Sequence, residues 1–169
     1  KEISKKEFTT FDFQQKIKSL EEYVAYKNAK ENALKDYHLA YYYYLQGKNS
    51  LALKVLQSTI VQSKQYLPKI YGLMARICYE NDEFIKAQDF AERAYKNDGK
   101  VYDALITLAE INYNNRDYKT ALSFYKKAKR EQNDVLPSVG IAKTYFVMNK
   151  TKKSEKMYDR LLKKHPLNE

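Results

Sequence analysis

Small and bulky apolar residues recur along this chain at a spacing close to 34 residues. Each of four alanines follows a bulky apolar residue, and the intervals between them are 35, 34 and 33 residues; these anchors are Ala40, Ala75, Ala109 and Ala142. Side chains three or four positions apart share one face of a helix. The pattern predicts a solenoid of helical hairpins, in which each hairpin buries its apolar face against its neighbours.

A second set of positions predicts the partner helix of each hairpin. This helix is expected to begin at one residue per repeat: Asn49, Phe84, Tyr118 and Thr151. Three positions later comes a small residue, as a tight helix crossing requires: Ala52, Ala87, Ala121 and Ser154. Two further positions continue the inward stripe: Leu56, Ala91, Tyr125 and Tyr158, then Thr59, Ala94, Ala128 and Leu161. Helix stops are expected at Gly99, at Asn133 with Pro137, and at Pro166.

The segment before the repeats predicts one additional helix. Asp12 and Gln15 have the spacing of a capping box, so we expect a helix that begins near Phe13. Its apolar stripe is Phe13, Ile17, Leu20 and Val24. We interpret residues 1–32 as a tail followed by a helix that covers the open face of the first repeat; the alternative is a helix that docks a partner.

The residue pattern resembles the tetratricopeptide repeat over about residues 33–168. The family's order of a small residue, an aromatic, an alanine, an aromatic, an alanine and a proline is matched by Ala142, Tyr145, Ser154, Tyr158, Leu161 and Pro166. Ser154 and Leu161 replace alanines, and Lys64 stands where the first repeat would have proline. The resemblance implies an all-α fold, a right-handed superhelical solenoid of antiparallel helix pairs. The expected repeats are 33–66, 68–101, 102–134 and 135–168.

Composition agrees with helices and gives little sign of catalysis. The chain of 169 residues has only four glycines and three prolines, which favours long helices with short links. His38 and His165 are its only histidines, and neither has the spacing of a metal site or a nucleophile pair. Cys78 falls at a phase that is buried between helices, so we assign it to the core. We expect a non-catalytic protein without a cofactor or metal.

The resemblance implies that the first helices of the hairpins line a concave groove. An aromatic residue stands four positions beyond every anchor, and Tyr41, with Tyr37, extends this set into an N-terminal aromatic patch beside Leu45. Within the run of four tyrosines, we expect Tyr42 and Tyr43 in the core. The candidate partner-binding residues are Tyr37, Tyr41, Tyr44, Arg76, Tyr79, Glu110, Tyr113, Lys143 and Phe146. The alternative is that the aromatic residues pack between adjacent repeats.

Such a groove predicts a scaffold that binds a partner protein or peptide. In some members of the family, lysines and asparagines at set positions of the first helices grip the C-terminal carboxylate of chaperones. Here those positions hold other residues, so we do not expect that activity: they are Tyr37, Tyr41, Leu73, Asp103 and Thr107. Self-assembly through the aromatic patch is an alternative.

The net charge of +10 is concentrated in the last third of the chain. This distribution offers a further alternative, an adaptor whose basic C-terminal third binds nucleic acid or an anionic membrane. A solvated lysine-rich face is the simpler interpretation. No run of about 18 apolar residues is present, so no transmembrane segment is expected.

Source and location follow only from weak signals. The abundance of Lys, Asn, Tyr and Ile is what AT-rich codons give, which indicates an AT-rich bacterium. Similar repeat proteins serve in envelope assembly, and by this analogy we expect the cell envelope or periplasm rather than the cytoplasm. The chain begins at Lys1, so a signal or anchor could precede it.

Overall fold

The structure is a computed structural model that describes residues 10–24, 29–60 and 67–165. Several sequence predictions lie outside these ranges: the N-terminal tail, the departure at Lys64 and the helix stop at Pro166. Within the described ranges the chain forms nine α-helices and no strand. In order they are α1 Thr10–Val24, α2 Ala29–Leu45, α3 Asn49–Ile60, α4 Leu67–Glu80, α5 Phe84–Asn97, α6 Tyr102–Asn114, α7 Tyr118–Glu131, α8 Val135–Val147 and α9 Thr151–Lys164.

The helices after α1 pair as α2 with α3, α4 with α5, α6 with α7 and α8 with α9. The predicted first residues of the second helices are the first residues of α3, α5, α7 and α9 in the structure. An all-α helical repeat fold, predicted from the 34-residue spacing, is therefore confirmed. The division into residues 1–32 and 33–168, with its repeat boundaries, stays a prediction.

The small residues lie where the helices cross most closely. All four anchor alanines are completely buried, as are Ala52, Ala87 and Ala121. The inward stripe is also buried in the first three hairpins, as Leu56, Ala91 and Tyr125 show. In the fourth hairpin the equivalent Tyr158 is 38% exposed, because no described helix follows α9 to cover it. The prediction that Tyr158 faces the interior is therefore wrong.

A residue with left-handed backbone geometry ends the first helix of every hairpin. It always stands seven positions beyond the anchor alanine, with φ between +57° and +72°: Gly47, Asp82, Arg116 and Asn149. The next residue donates its backbone N–H to a carbonyl five positions back, at 2.9 Å in all four turns. This is the pairing of a Schellman motif, which satisfies the last carbonyls of a helix. One turn geometry is therefore used four times.

Helix α1 covers the N-terminal end of the repeats. Its Phe13, Ile17 and Leu20 pack on the core of the first hairpin, and the rings of Phe13 and Tyr42 lie 6.0 Å apart, edge to face. The choice between a covering helix and a partner-docking helix stays a prediction. The helix begins at Thr10, ahead of the predicted start near Phe13, so Asp12 lies inside the helix and the predicted capping box is wrong. The spacing of Asp12 and Gln15 predicted a cap at Asp12, but the helix extends past Asp12 toward the N-terminus.

The first helices lie closer together than the second helices do. Contacts join α2 to α4, α4 to α6 and α6 to α8, whereas no two successive second helices contact each other in the described part of the chain. A stack that is tighter on one side curves toward that side, so the first helices form its inner side. We call this surface the first-helix face. None of the described helices combines the length and apolar character that a bilayer crossing requires.

Candidate partner-binding face

The aromatic residues four positions beyond the anchors follow one another along the first-helix face. Tyr44, Tyr79 and Tyr113 are half-buried, whereas Phe146 in the last repeat is 63% exposed. Each of the three tyrosines contacts the following repeat, and no described repeat follows Phe146. We call these four residues the aromatic ladder. Three of its four rings also serve the packing between repeats.

The first rung links the first and second hairpins. The hydroxyl of Tyr44 donates a hydrogen bond of 2.7 Å to Glu80 Oε1. Arg76 Nε donates to the same oxygen at 3.0 Å, so Glu80 holds a tyrosine from one hairpin and an arginine from its own. Burial raises the pKa of Tyr44 above its ordinary value, so the hydroxyl keeps its proton and acts as a donor.

The second rung links the second and third hairpins. Tyr79 accepts a hydrogen bond of 2.9 Å from Asn114 Nδ2, and its ring meets Phe84 edge to face at 5.5 Å. Glu80 and Asn114 both stand five positions beyond an anchor. Their recurrence at one phase is a signal in the sequence from which these partners could have been predicted.

The third rung is an ion pair between the third and fourth hairpins. Lys143 Nζ donates to Glu110 Oε2 at 3.0 Å and lies 4.4 Å from the centre of the Tyr113 ring. The Glu110 and Lys143 side chains are 13% and 31% exposed. Because the charges are partly withdrawn from water and satisfy each other, the middle of this face is electrically balanced.

The rings of the N-terminal aromatic patch lie in contact with one another. The rings of Tyr37 and Tyr41 stack at 6.4 Å, and Tyr41 and Tyr44 lie 6.1 Å apart. Tyr42 and Tyr43 are buried at 4% and 8% exposure, which confirms their assignment to the core.

Beside this patch lies a cleft of about 360 Å³. Its lining residues come from α1, the first hairpin and the second: Phe13, Tyr44, Leu45, Gly47 and Glu80. Phe13 was not among the predicted site residues, because only the folded structure brings α1 against this edge. Its lining combines the rings of Phe13 and Tyr44 and the Leu45 side chain with the Glu80 carboxylate, so it is polar as well as apolar.

The surroundings of Cys78 are those of a core residue. Cys78 is 2% exposed, and burial raises the pKa of its thiol, as expected of a core cysteine. Among the described residues, no three His, Cys, Asp or Glu side chains are grouped so that they could hold a metal ion. The assignment of the first-helix residues to partner binding stays a prediction.

Comparison with known proteins identifies the class. The family model of the tetratricopeptide repeat matches residues 139–168. Residues 139–168 are thus similar to a tetratricopeptide repeat, and the described part of the chain has the fold of tetratricopeptide-repeat proteins, as its resemblance to the family implied. No curated protein sequence gives a significant match.

Solved structures show the same architecture. A crystal structure of MamA is 18% identical and aligns with a TM-score of 0.65 over 91% of this chain and 89% of its own. A tetratricopeptide repeat protein from Parabacteroides merdae ATCC 43184 is 19% identical, with a TM-score of 0.66 over 94% of this chain and 62% of its own. MamA 41-end from Desulfovibrio magneticus RS-1 is 8% identical, with a TM-score of 0.66 over 90% and 85%. This fold suggests a protein–protein interaction scaffold, and such repeat scaffolds are generally non-catalytic.

Proposed function

We propose that this chain is a non-catalytic scaffold that holds a partner protein or peptide on its first-helix face. The observation that carries the proposal is the N-terminal aromatic patch together with the cleft beside it. Tyrosine rings give a large contact area at a small cost in side-chain entropy, and they are frequent in binding sites for that reason. The patch and cleft are therefore the expected anchor of the partner.

The charged groups of this face shape the expected binding. Arg76 is paired with Glu80, and Glu110 with Lys143, so no strong net charge attracts a polyanion there. Affinity then depends mainly on apolar contacts, which salt does not screen. A partner bound here should stay bound at high ionic strength.

The test compares two forms of one double substitution. Tyr44→Ala with Tyr79→Ala removes two rings of the ladder, whereas Tyr44→Phe with Tyr79→Phe keeps both rings and removes only their hydrogen bonds to Glu80 and Asn114. Each protein is immobilised and used to capture partners from a native lysate at low and high salt. Ile85→Ala, at a residue that is 88% exposed on α5, is the control.

We expect a protein that survives high salt, is captured by the original, Phe and Ile85→Ala forms, and is lost from the Ala form. Capture by the Ala form at the original level, with helicity unchanged, would refute binding through these rings. Recovery of the chain's own copies, dissociated by dilution, would instead indicate self-assembly. Location in a bacterial cell envelope remains part of this proposal and rests on analogy.

A further inference from the structure

The second helices of the last two hairpins carry an excess of positive charge. Helix α7 has five cations and one carboxylate, and α9 has six cations and two carboxylates, so each has a net charge of +4. All residues of both helices are described, and none of their lysines or arginines lies within 4 Å of a carboxylate oxygen. In α5, by contrast, Arg93 is paired with Asp89 at 2.9 Å.

The cations of α7 and α9 occupy matching positions. Three positions hold a cation in both helices, 33 residues apart: Lys119 and Lys152, Lys127 and Arg160, and Arg130 and Lys163. Since equivalent positions of successive repeats point the same way, these side chains form one basic face. The Tyr145 ring joins the two helices, with Lys126 Nζ 5.9 Å and Lys153 Nζ 5.8 Å from its centre.

A small cavity of about 80 Å³ lies where α7, α8 and α9 meet. Four basic side chains line it: Lys129, Arg160, Lys164 and His165. Its one carboxylate is Asp134, and both of its oxygens are occupied. Oδ1 accepts the N–H of Val135 at 2.6 Å, and Oδ2 accepts the hydroxyl of Tyr102 at 2.9 Å.

The floor of this cavity is partly apolar, with Met157 and Leu161, and Lys164 Nζ is held 3.2 Å from Asn133 Oδ1. The cavity therefore gathers cationic donors around a space that a phosphate group with its first waters could enter.

We propose that the basic face of α7 and α9 binds an anionic lipid membrane, with a headgroup phosphate in the cavity lined by Lys129, Arg160 and Lys164. Lysines near an anionic bilayer each strengthen binding about fivefold, and a face with eight net charges supplies several of them. This function is separate from the proposed capture of a partner on the first-helix face.

Two observations favour a membrane over nucleic acid. Tyr95, Phe124 and Tyr145, the rings beside these cations, are half-buried under lysine ammonium groups, so their faces do not offer a stacking platform for bases. Nine of the eleven cations are lysines, which do not make the bidentate phosphate contacts of arginine.

An apolar side chain lies among the basic residues of α9 at the C-terminal end of the stack: Leu162, which is 52% exposed. Such side chains enter the boundary between headgroups and acyl chains, and Leu162 has no ring with which to stack on a base. Glu155 and Asp159 lie on α9 near Leu162 and reduce the positive charge of this helix. The net charge of α9 with both of them included is +4.

The test is sedimentation with vesicles. Phosphatidylcholine vesicles containing about one-third phosphatidylglycerol are compared with pure phosphatidylcholine vesicles. The variant Lys129→Gln, Arg160→Gln, Lys164→Gln is compared with a control, Lys48→Gln, Lys54→Gln, Lys69→Gln, which removes the same charge from exposed positions of the first two hairpins. Circular dichroism checks that both variants remain helical, and inorganic phosphate and duplex DNA are added as competitors.

We expect binding to the anionic vesicles only, weakened about 100-fold by the cavity variant and less than about threefold by the control. Competition by inorganic phosphate at the cavity would lower vesicle binding without abolishing it, because the remaining face still binds. An equal loss of vesicle binding in the two triple variants would refute the cavity as the phosphate site, since net charge alone would then explain binding. Equal sedimentation with neutral vesicles, or duplex DNA bound more tightly than anionic vesicles, would overturn the membrane assignment.

Discussion

The ring of Tyr125 lies directly against Gly140, so closely that a Cβ atom built on the glycine would stand 2.3 Å from the ring carbon Cε1. Tyr125 belongs to α7 and Gly140 to α8, and the tyrosine is completely buried. The absence of one side chain thus permits a large aromatic residue to fill the interface between the third and fourth hairpins. The fit sets how closely α7 and α8 approach each other.

Gly140→Ala should destabilise the protein by about 2 kcal/mol, because the buried ring cannot move aside without disturbing its neighbours. Urea unfolding, followed by circular dichroism, measures this free energy. Gly99→Ala is the matched control, since its Cβ would meet the nearest atom at 3.5 Å, an ordinary contact. If the two alanine variants unfolded at the same urea concentration, that result would contradict the close approach of Tyr125 to Gly140.

Arg116 offers a stabilising substitution in the turn between α6 and α7. It holds φ at +63°, a conformation that costs a residue with a Cβ atom but not glycine. Arg116→Gly should therefore raise the free energy of unfolding by about 0.5–1 kcal/mol, after the greater freedom of glycine in the unfolded chain is included. Gly47→Ala at the equivalent turn should lower it by a similar amount, and Asn149→Gly should change it less, because asparagine tolerates this geometry. A lower stability of Arg116→Gly would contradict the turn assignment.

Asp36 predicts a measurable dependence on pH. It is 7% exposed, and burial raises the pKa of its carboxyl above the ordinary value of 3.8, although a hydrogen bond of 3.1 Å from Thr59 Oγ1 opposes the rise. Between the ordinary pKa and the raised one, the folded protein keeps a proton that the unfolded chain releases, so this group lowers stability as the pH rises. Above the raised pKa, its contribution is constant.

Asp36→Asn should remove that contribution and stabilise the protein near neutral pH by about 1 kcal/mol. The advantage of the variant over the original chain should shrink as the pH falls toward 4. Urea unfolding of both proteins across this range provides the comparison. A variant that is less stable at pH 7 would show that the carboxylate is instead favourably satisfied by Thr59.

Much of the fold could be predicted from the sequence, because helix crossings require small side chains, and these recur in the sequence at a regular spacing. Ala87 and Ala121 fixed the register, and the starts of all four second helices followed from it. The common turn geometry was not predicted, because the residues that adopt positive φ differ in type between repeats, from Gly47 to Arg116. Backbone conformation, rather than residue type, is what repeats there.

The candidate site was less predictable than the fold. Periodicity located Tyr44 and Tyr79 on the first-helix face but not their hydrogen bonds to Glu80 and Asn114, which depend on how far each hairpin is rotated against the next. The contribution of Phe13 to the cleft depends on the docking of α1, which lies outside the repeat pattern. The basic cavity joins residues from three helices, and Lys129 of α7 is far in sequence from Arg160 and Lys164 of α9.

Hydrogen–deuterium exchange of this chain, with and without the protein that it captures, tests the central claim most directly. Binding on the first-helix face predicts slower amide exchange in α2 and α4 around the N-terminal aromatic patch, with α7 and α9 unchanged. The Tyr44→Ala, Tyr79→Ala protein should show no such protection at the same partner concentration. Protection confined to α7 and α9, with α2 and α4 exchanging as in the free chain, would contradict the claim.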